Sequence, residues 1–430
     1  MKTSKYFSII FIIILFSFNS GIYINYINAH INKKVESSSN PVVEAKKCTN
    51  YIDWKKEYPI DKKNEYKEIE NKSRLKKKQE LYLKAKKIIS KVDSYSKDYL
   101  PMKMKFIEFG HYIDKLIGGN MFLNMDGLIR FPNGYFGYLD KNKNSFEEDG
   151  KRTVEFAKYL ENNNIKFGYI LCPTKFSKFK KELPIGLVDY SNENADSFLK
   201  ILYKNNINVL DLREDLNKEY PNHFDAFFKT DHHWKPETGF WATQKIIKFL
   251  NQKLGQNLDE NLIKKDNFNF KTYPKLFLGS QGKKVTLSFA EPEDFTLIIP
   301  KFETNFYYEA YCRDIIRKGS FENALFEKKH LEKNYYENSS YASYLGEENS
   351  VIRINNLNIN NGIKIIFFKD SYIKVIAPFL ACLTKELLLV DIRQERKNRF
   401  DGNIYKLIEK EKPDIVLILY KGILKLSDNK

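Results

Sequence analysis

An aspartate, two histidines and a tryptophan occupy consecutive positions 231–234 in the segment FKTDHHWKPETGFWA. In an extended segment, side chains two residues apart point to the same side of the chain. Asp231 and His233 have this spacing, and a carboxylate beside an imidazole can fix the imidazole tautomer and stabilise its protonated form. The spacing therefore predicts an acid–base pair, with His232 facing away and Trp234 forming a wall of the site.

Two other interpretations of this segment stay open. Asp231 could cap the helix that Pro236 is expected to begin, while the histidines only pack. Alternatively, Asp231, His232 and His233 could bind a metal ion if His223 folded back to complete the ligand set. The metal site is the less favoured, because adjacent side chains diverge on an extended strand. We therefore expect neither a metal nor another cofactor.

An Asp–His pair needs a nucleophile, and Ser371 is the best candidate. It follows the apolar run KIIFF, typical of a buried strand, within KIIFFKDSYIKVIAPFLA. Open α/β sheets bind ligands beyond the carboxyl ends of their strands, and N–H groups at the start of the next helix could stabilise an oxyanion. The alternative is that Asp370 or Ser371 only caps this helix, which Pro378 is expected to break early.

Strand and helix patterns alternate along the chain around these motifs. A helix with Val154, Ala157 and Leu160 on one face precedes the run IKFGYILCP, and a helix with Ile201 and Leu202 precedes NVLDL. The runs KIIFF, ELLLVDI and DIVLILY follow later, with a helix near residues 404–411. This alternation predicts a parallel α/β sheet flanked by helices. Residues from about 255 to 360 read instead as strands around turns, which predicts an inserted β-rich subdomain.

The N-terminal part of the chain carries two signals. Lys2 and Lys5 precede the apolar residues 6–18, which is the layout of a secretory signal. Residues 1–29 are therefore predicted to be a signal peptide or an uncleaved membrane anchor, and the protein to be exported. Residues 30–103 are rich in charge and are predicted to form a helical stalk or linker, with a polyanion-binding surface as the alternative.

Composition narrows the classes of partner. Among 430 residues, 72 Lys and Arg against 55 Asp and Glu give a formal net charge of +17, which favours anionic surroundings. The lysines are scattered and no zinc-finger spacing or RNA-binding signature occurs, so nucleic-acid binding is not expected. The four cysteines are far apart and form no CxxC, which argues against zinc-ligand and thioredoxin-like motifs.

The segment KTDHHW with a downstream KDSY resembles the DHHW family of exported bacterial proteins. That family is similar to the SGNH-hydrolase-like O-acetyltransferases of alginate and other cell-envelope polysaccharides. The resemblance covers residues 104–430 and includes YILCPTKFSKFKKELP, LFLGSQGKKV, VDIR and PDIVLILY in the family's order. It implies an SGNH-like, flavodoxin-like α/β domain over this range. It also implies a triad of Ser371, His233 and Asp231, in an order permuted relative to ordinary SGNH hydrolases.

The resemblance also suggests residues that bind the substrate or a reaction oxyanion, by their position in shared segments or beside the triad. The chain departs from the family at Lys369, which stands where a glycine usually precedes Asp-Ser, and the usual oxyanion-hole asparagine is not identified. The suggested residues are Tyr372, Gly279, Arg393, Lys175 and Trp234.

These features predict an exported serine-dependent O-acyltransferase or esterase that acts on cell-envelope polysaccharide. His233, oriented by Asp231, would take the Ser371 proton while the serine attacks an acyl donor. An exported transferase cannot draw on cytoplasmic acetyl-CoA, so the resemblance implies a membrane-bound O-acyltransferase as partner. The alternative is a catalytically silent wall- or polysaccharide-binding protein of the same fold, which Lys369 favours; a metal-dependent hydrolase is the third hypothesis.

Overall fold

The computed structural model describes Glu108 and residues 128–180, 183, 186–393 and 403–426. All of them fall within the unit Ile107–Lys430. The predicted signal peptide or anchor at 1–29 and the predicted stalk at 30–103 lie outside the described residues. Within the described part, no helix is both long and apolar enough to cross a bilayer.

The described residues contain twelve β-strands and eight α-helices, together with six short 3-10 helices. The strands are β1 (Leu128–Arg130), β2 (Phe136–Tyr138), β3 (Lys166–Leu171), β4 (Val209–Asp211), β5 (Phe268–Phe277), β6 (Glu293–Pro300), β7 (Phe306–Ala310), β8 (Ile315–Gly319), β9 (Val351–Asn356), β10 (Lys364–Lys369), β11 (Glu386–Val390) and β12 (Ile415–Tyr420). The helices are α1 (Glu147–Asn162), α2 (Ser191–Lys204), α3 (Leu212–Glu219), α4 (Pro236–Leu254), α5 (Ser280–Phe289), α6 (Phe321–Leu325), α7 (Ala377–Leu380) and α8 (Ile404–Glu411). The 3-10 helices are His223–Ala226, Lys265–Asn267, Tyr311–Arg313, Lys328–Leu331, Ser340–Ser343 and Ser371–Val375.

Eight strands form one mixed sheet in the order β4-β3-β12-β10-β11-β9-β7-β8. The five strands from β4 to β11 are parallel, and they are the five that the apolar runs predict. The prediction of a parallel sheet is incomplete, because β9 pairs antiparallel with β11 and β7 and β8 continue that arrangement. The chain therefore has an α/β domain with a mixed sheet.

The central strands are buried on both faces. Side chains of β10 alternate between two apolar layers: Ile365 and Phe367 lie on the side of α4, whereas Phe368 lies against Phe156 of α1. A strand covered on both faces needs apolar residues at every position, because successive side chains point to opposite sides. This requirement is the physical reason for the uninterrupted apolar runs in the sequence.

The segment predicted to be an inserted subdomain contributes strands to two different sheets. Strands β5 and β6 form a separate antiparallel pair, whereas β7, β8 and β9 extend the main sheet. The residues GSQGKKVTL, which read as part of a strand-and-turn region, form α5 instead. The helix begins there because the Gly279 and Ser280 N–H groups donate to side-chain oxygens of the loop at 230–231, which satisfies donors that a helix start leaves free.

Candidate active site

The side chains of Asp231, His233 and Ser371 form one hydrogen-bonded chain. His233 Nδ1 lies 2.5 Å from Asp231 Oδ1, and His233 Nε2 lies 2.6 Å from Ser371 Oγ. The His233 backbone N–H also donates to Asp231 Oδ1 over 3.0 Å. The structure thus brings together three residues that span 140 positions of sequence, in the order orienter, imidazole and hydroxyl.

Asp231 is buried and its carboxylate accepts three hydrogen bonds. Besides the two bonds from His233, Asp231 Oδ2 accepts the Ser280 N–H over 2.6 Å. Burial alone would raise the pKa of this carboxyl, but the adjacent histidines and the hydrogen bonds from His233 and Ser280 hold its pKa well below the usual range. Asp231 is therefore ionised, as an orienter of an imidazole must be.

Glu293 of β6 fixes the loop that carries Asp231. Its carboxylate accepts the backbone N–H groups of Lys229 and Thr230 over 2.7 and 2.8 Å and the Thr230 hydroxyl over 2.6 Å. The Thr230 carbonyl in turn accepts the Gly282 N–H over 2.8 Å. Residues of the predicted insertion thus hold the loop from outside the sheet.

Ser371 stands directly beyond β10, at the carboxyl edge of the parallel strands. Asp370 caps the 3-10 helix Ser371–Val375 by accepting the Tyr372 N–H over 2.9 Å, and it also accepts the Lys421 N–H over 3.0 Å. The capping alternative therefore describes Asp370, whereas the Ser371 hydroxyl remains available to His233. The predicted helix is interrupted, since α7 begins only at Ala377 with Pro378 in its first turn.

Three contacts join the segments that carry His233 and Ser371. The Tyr372 hydroxyl donates to the His232 carbonyl over 2.7 Å, and the buried Trp234 indole N–H donates to the Tyr372 carbonyl over 3.3 Å. At the start of α4, a Cβ on Gly239 would lie 2.4 Å from the Val375 carbonyl oxygen, so only glycine permits this approach. These contacts set the distance between imidazole and hydroxyl.

His232 does not face away from the site, and the prediction that it does is wrong. Residues 230–233 form a bend rather than an extended strand, so the i and i+1 side chains are not opposed. The ring centroids of His232 and His233 are 3.8 Å apart. Burial and the positive charge of a protonated His233 lower the pKa of His232 to about 3, so His232 is neutral near pH 7.

The bend also bears on the two alternatives for this segment, a metal site and a helix cap. Donor atoms of Asp231, His232 and His233 lie within 4.8 Å of one another, so the expected divergence of the histidines does not occur. His223 does not join them, because its Nε2 lies 2.7 Å from the Thr174 carbonyl oxygen. Asp231 does not cap α4, whose N-terminal cap is Lys235.

Lys175 and Gly279 support the loop that carries Asp231. Lys175 Nζ donates to the carbonyls of Phe136 and Lys229 and to Gln281 Oε1, over 2.6, 3.0 and 2.9 Å. Burial lowers the pKa of Lys175 to about 7. The Gly279 N–H donates to Thr230 Oγ1 over 2.9 Å, so neither group is directed at an oxyanion.

Of the other suggested residues, Arg393 follows β11 and Trp234 lies in the core. Arg393 pairs with the buried Asp391 through two hydrogen bonds of 2.9 and 2.7 Å, and its side chain is half exposed. Trp234 is fully buried and packs on Tyr372, with ring centroids 4.9 Å apart. Trp234 thus supports the site from the core, and it does not form an exposed wall. Lys369 is also buried, and its Nζ donates to the Asn349 carbonyl over 3.3 Å.

A cavity of about 350 Å³ lies near the triad, and its lining includes neighbours of the triad residues but none of the three themselves. His232 and Tyr372 line it on the triad side, and Lys421 and Gln281 add polar groups. No sequence motif marks Lys421, but it directly follows the strand PDIVLILY, where parallel sheets place ligand-binding residues. Tyr341, which stacks on His233, lies in the segment NSSYASYL, which carries no motif.

Residues 131–274, which include Asp231 and His233 but not Ser371, match the family model described as the SGNH hydrolase-like domain of the acetyltransferase AlgX. The structure of Bacillus cereus PatB1 with a sulfonyl adduct aligns with a TM-score of 0.58 at 21% identity, over 71% of this chain and 99% of that chain. No curated protein matches the chain in sequence.

A second solved structure is that of a DHHW family protein from Eubacterium siraeum. It aligns with a TM-score of 0.51 at 16% identity, over 69% of this chain and 91% of that chain. Likenesses at such identities show a shared fold and do not transfer an activity. Together with the family-model match, they confirm the resemblance of this chain to the DHHW family and the SGNH-hydrolase-like acetyltransferases.

Proposed function

We propose that the chain is an exported serine-dependent O-acyltransferase or esterase that acts on a cell-envelope polysaccharide. The observation that carries the proposal is the unbroken hydrogen-bonded chain from Asp231 through His233 to Ser371, with links of 2.5 and 2.6 Å. An orienting carboxylate, an imidazole base and a hydroxyl in this order activate a serine for acyl transfer. The acetyltransferase named by the matching family model supports acetyl as the acyl group.

In the proposed reaction, Ser371 Oγ attacks the carbonyl carbon of an acyl ester while His233 Nε2 accepts its proton. The tetrahedral intermediate then expels the donor alcohol, which takes the proton from His233, and the acyl group remains on Ser371. An acceptor hydroxyl next gives its proton to His233 and receives the acyl group, which restores Ser371. If water replaces the acceptor, the same steps make an esterase.

The backbone N–H of Ser371 is proposed to stabilise the oxyanion. The neighbouring Tyr372 N–H is already engaged by Asp370, whereas no acceptor for the Ser371 N–H occurs among the described residues. A free N–H at the start of a helix, beside the nucleophile, is suitably placed to bind developing negative charge.

The cavity near the triad is proposed to hold the acceptor. The rings of Tyr138 and Phe176 line it and offer apolar faces to a sugar, and Lys421 adds a positive charge. An anionic polymer would also meet a chain of net charge +17. We also propose that the N-terminal segment directs export and that a membrane-bound O-acyltransferase supplies the acyl donor.

The test is to incubate the full chain with 4-nitrophenyl acetate, quench in acid and map peptides by mass spectrometry. We expect one acetyl group on the peptide that contains Ser371, followed by transfer to oligosaccharide acceptors or release as acetate. Ser371→Ala should lose the adduct, whereas Ser197→Ala, at an exposed position on α2, should retain it. An adduct of equal yield in Ser371→Ala would refute the proposal.

A silent polysaccharide-binding protein of the same fold is the second candidate. Three donors near the site already have acceptors within the protein: the Tyr372 N–H, the Gly279 N–H and the Lys175 amine. This favours the silent protein, because donors that are already bonded do not stabilise an oxyanion. Polysaccharide binding without any acyl-serine, in protein that is folded, would establish this candidate over the enzyme.

A further inference from the structure

The imidazole of His233 is held at its faces as well as at its edges. Its two nitrogens bind Asp231 and Ser371 in the plane of the ring. The Tyr341 ring stacks on it with a centroid distance of 4.2 Å and an interplanar angle of 18°. The His232 ring lies 3.8 Å away at 37°. All of these contacts restrict rotation of the imidazole.

The two short centroid distances indicate that the neighbouring rings lie on opposite faces of His233. A ring whose centroid is about 4 Å away lies over a face, because an edge contact needs a longer distance. One imidazole face cannot accommodate two such rings. His233 is therefore sandwiched, with its Nε2 left free to meet the Ser371 hydroxyl.

We propose that His232 and Tyr341 are positioning residues that clamp the His233 imidazole between two aromatic faces and stabilise the imidazolium formed during acyl transfer. The proposal rests on the function proposed above, in that His233 is the base. A cation over the face of an aromatic ring is attracted by the π electrons of that ring. The clamp would thus fix the direction of Nε2 and favour the protonated state that each half-reaction passes through.

The chemistry of the two flanking residues suits this role. Tyr341 is buried, and it meets the His233 imidazole through its ring, with the two centroids 4.2 Å apart. His232 is neutral near pH 7, with a pKa lowered to about 3 by burial and by the charge of His233. A neutral ring can stack on an imidazolium without like-charge repulsion.

Other charged and titratable groups surround His233 and also influence its protonation. Asp231 bonds to it directly, Glu348 attracts its positive charge, and Tyr372 lies with its ring centroid 5.6 Å from that of His233. Lys175 and Lys421 act on the adjacent His232. Tyr341→Leu and Tyr341→Phe both remove the hydroxyl of Tyr341, which interacts with Tyr372 and Asp231. A difference in the His233 titration between these two variants therefore reports on the aromatic ring.

The experiment compares Tyr341→Leu with Tyr341→Phe in the full chain, using selective carbon-13 histidine labelling and NMR titration. The His233 signal is assigned by its loss in His233→Asn. We expect the pKa of His233 to fall by about half a unit to one unit in Tyr341→Leu, and to stay at the wild-type value in Tyr341→Phe. The acid limb of the kcat profile should move with it, and kcat should fall by about ten- to a hundredfold with little change in KM.

An equal His233 pKa in wild type, Tyr341→Leu and Tyr341→Phe would overturn the clamp. The titration needs no turnover, so an inactive wild type would end the proposed function and leave the clamp to be decided by the pKa values. If circular dichroism shows that Tyr341→Leu is unfolded, His232→Leu and His232→Phe are compared in the same way. A lower His233 pKa in the leucine variant alone would support the proposal, and equal values would refute it.

Discussion

The two segments that meet in the site are built in different ways. Ser371 follows β10, a strand hydrogen-bonded to parallel neighbours on both sides, and regular backbone pairing sets its position. Asp231 and His233 lie in an irregular bend that side-chain hydrogen bonds hold from outside, above all from Glu293. The sheet thus supplies a rigid edge for the nucleophile, whereas the base depends on contacts with β6 and α5.

This difference explains why the sequence predicts the position of Ser371 correctly and the direction of His232 wrongly. The position of Ser371 at the end of a buried strand follows from a periodic apolar pattern, which is a local signal. The orientation of His232 was deduced from an assumed extended segment, and distant residues decide the true backbone there. Predictions of side-chain direction are therefore safest next to regular elements.

The largest expected effect tests whether the two segments form one site. Ser371→Ala and His233→Ala should each lower kcat for acyl transfer by about a thousandfold or more, and the double variant should be little worse, because triad members act as a unit. Single-turnover acylation followed by mass spectrometry provides the measurement. Losses that multiply in the double variant would show that the segments act independently.

Asp231→Asn should cost somewhat less, about a hundred- to ten-thousandfold in kcat. The substitution keeps the shape, but an amide that donates to His233 Nδ1 would select the wrong tautomer, and the Ser280 N–H would lose its charged partner. Steady-state kinetics with an acyl ester give the value. Wild-type kcat in this variant would remove Asp231 from the proposed triad.

Gly279→Ala tests how much the close contact between Gly279 and the Asp231 bend contributes to the stability of the fold. An added Cβ would lie 2.2 Å from Asp231 Cβ, so the bend must shift, and we expect a loss of about 1–3 kcal/mol in the free energy of unfolding. Urea denaturation measures the loss. Gly422→Ala is the matched control, because its Cβ would meet no atom within 4 Å. Equal stability of the two variants would contradict the prediction.

A pH-dependent effect concerns Lys175, which bonds to the same loop. In the folded chain the pKa of Lys175 is about 7, below the usual lysine value of 10.5. Between these pH values the unfolded chain therefore holds the proton and the folded chain does not. The free energy of unfolding should therefore rise with pH across this window, through the Lys175 contribution.

Lys175→Met removes that contribution. The difference in unfolding free energy between wild type and Lys175→Met should grow as pH rises from about 7 to 10.5. Urea titrations at several pH values measure it, with Lys200→Met, at an exposed position on α2, as the control. A difference that is constant with pH would show that Lys175 remains charged in the folded state.

The sequence by itself determined the five parallel strands, the helix that begins at Pro236 and the identity of three residues that meet, Asp231, His233 and Ser371. Local periodicity or a short motif predicts each of these features, because strand burial, helix starts and residue chemistry depend on residues that are close in sequence. Local patterns do not predict that β7, β8 and β9 extend the sheet in antiparallel fashion. An antiparallel edge strand and a separate hairpin have the same alternating pattern of apolar and polar residues.

Only the tertiary structure decided the surroundings of the base. Two of these contacts join residues that are far apart in sequence: Tyr341 stacks on His233, and Glu293 accepts a hydrogen bond from Thr230. In addition, the segment that carries His232 bends, although its sequence suggests an extended strand. No local pattern encodes such contacts, because they arise when separately folded elements pack and satisfy their buried polar groups together.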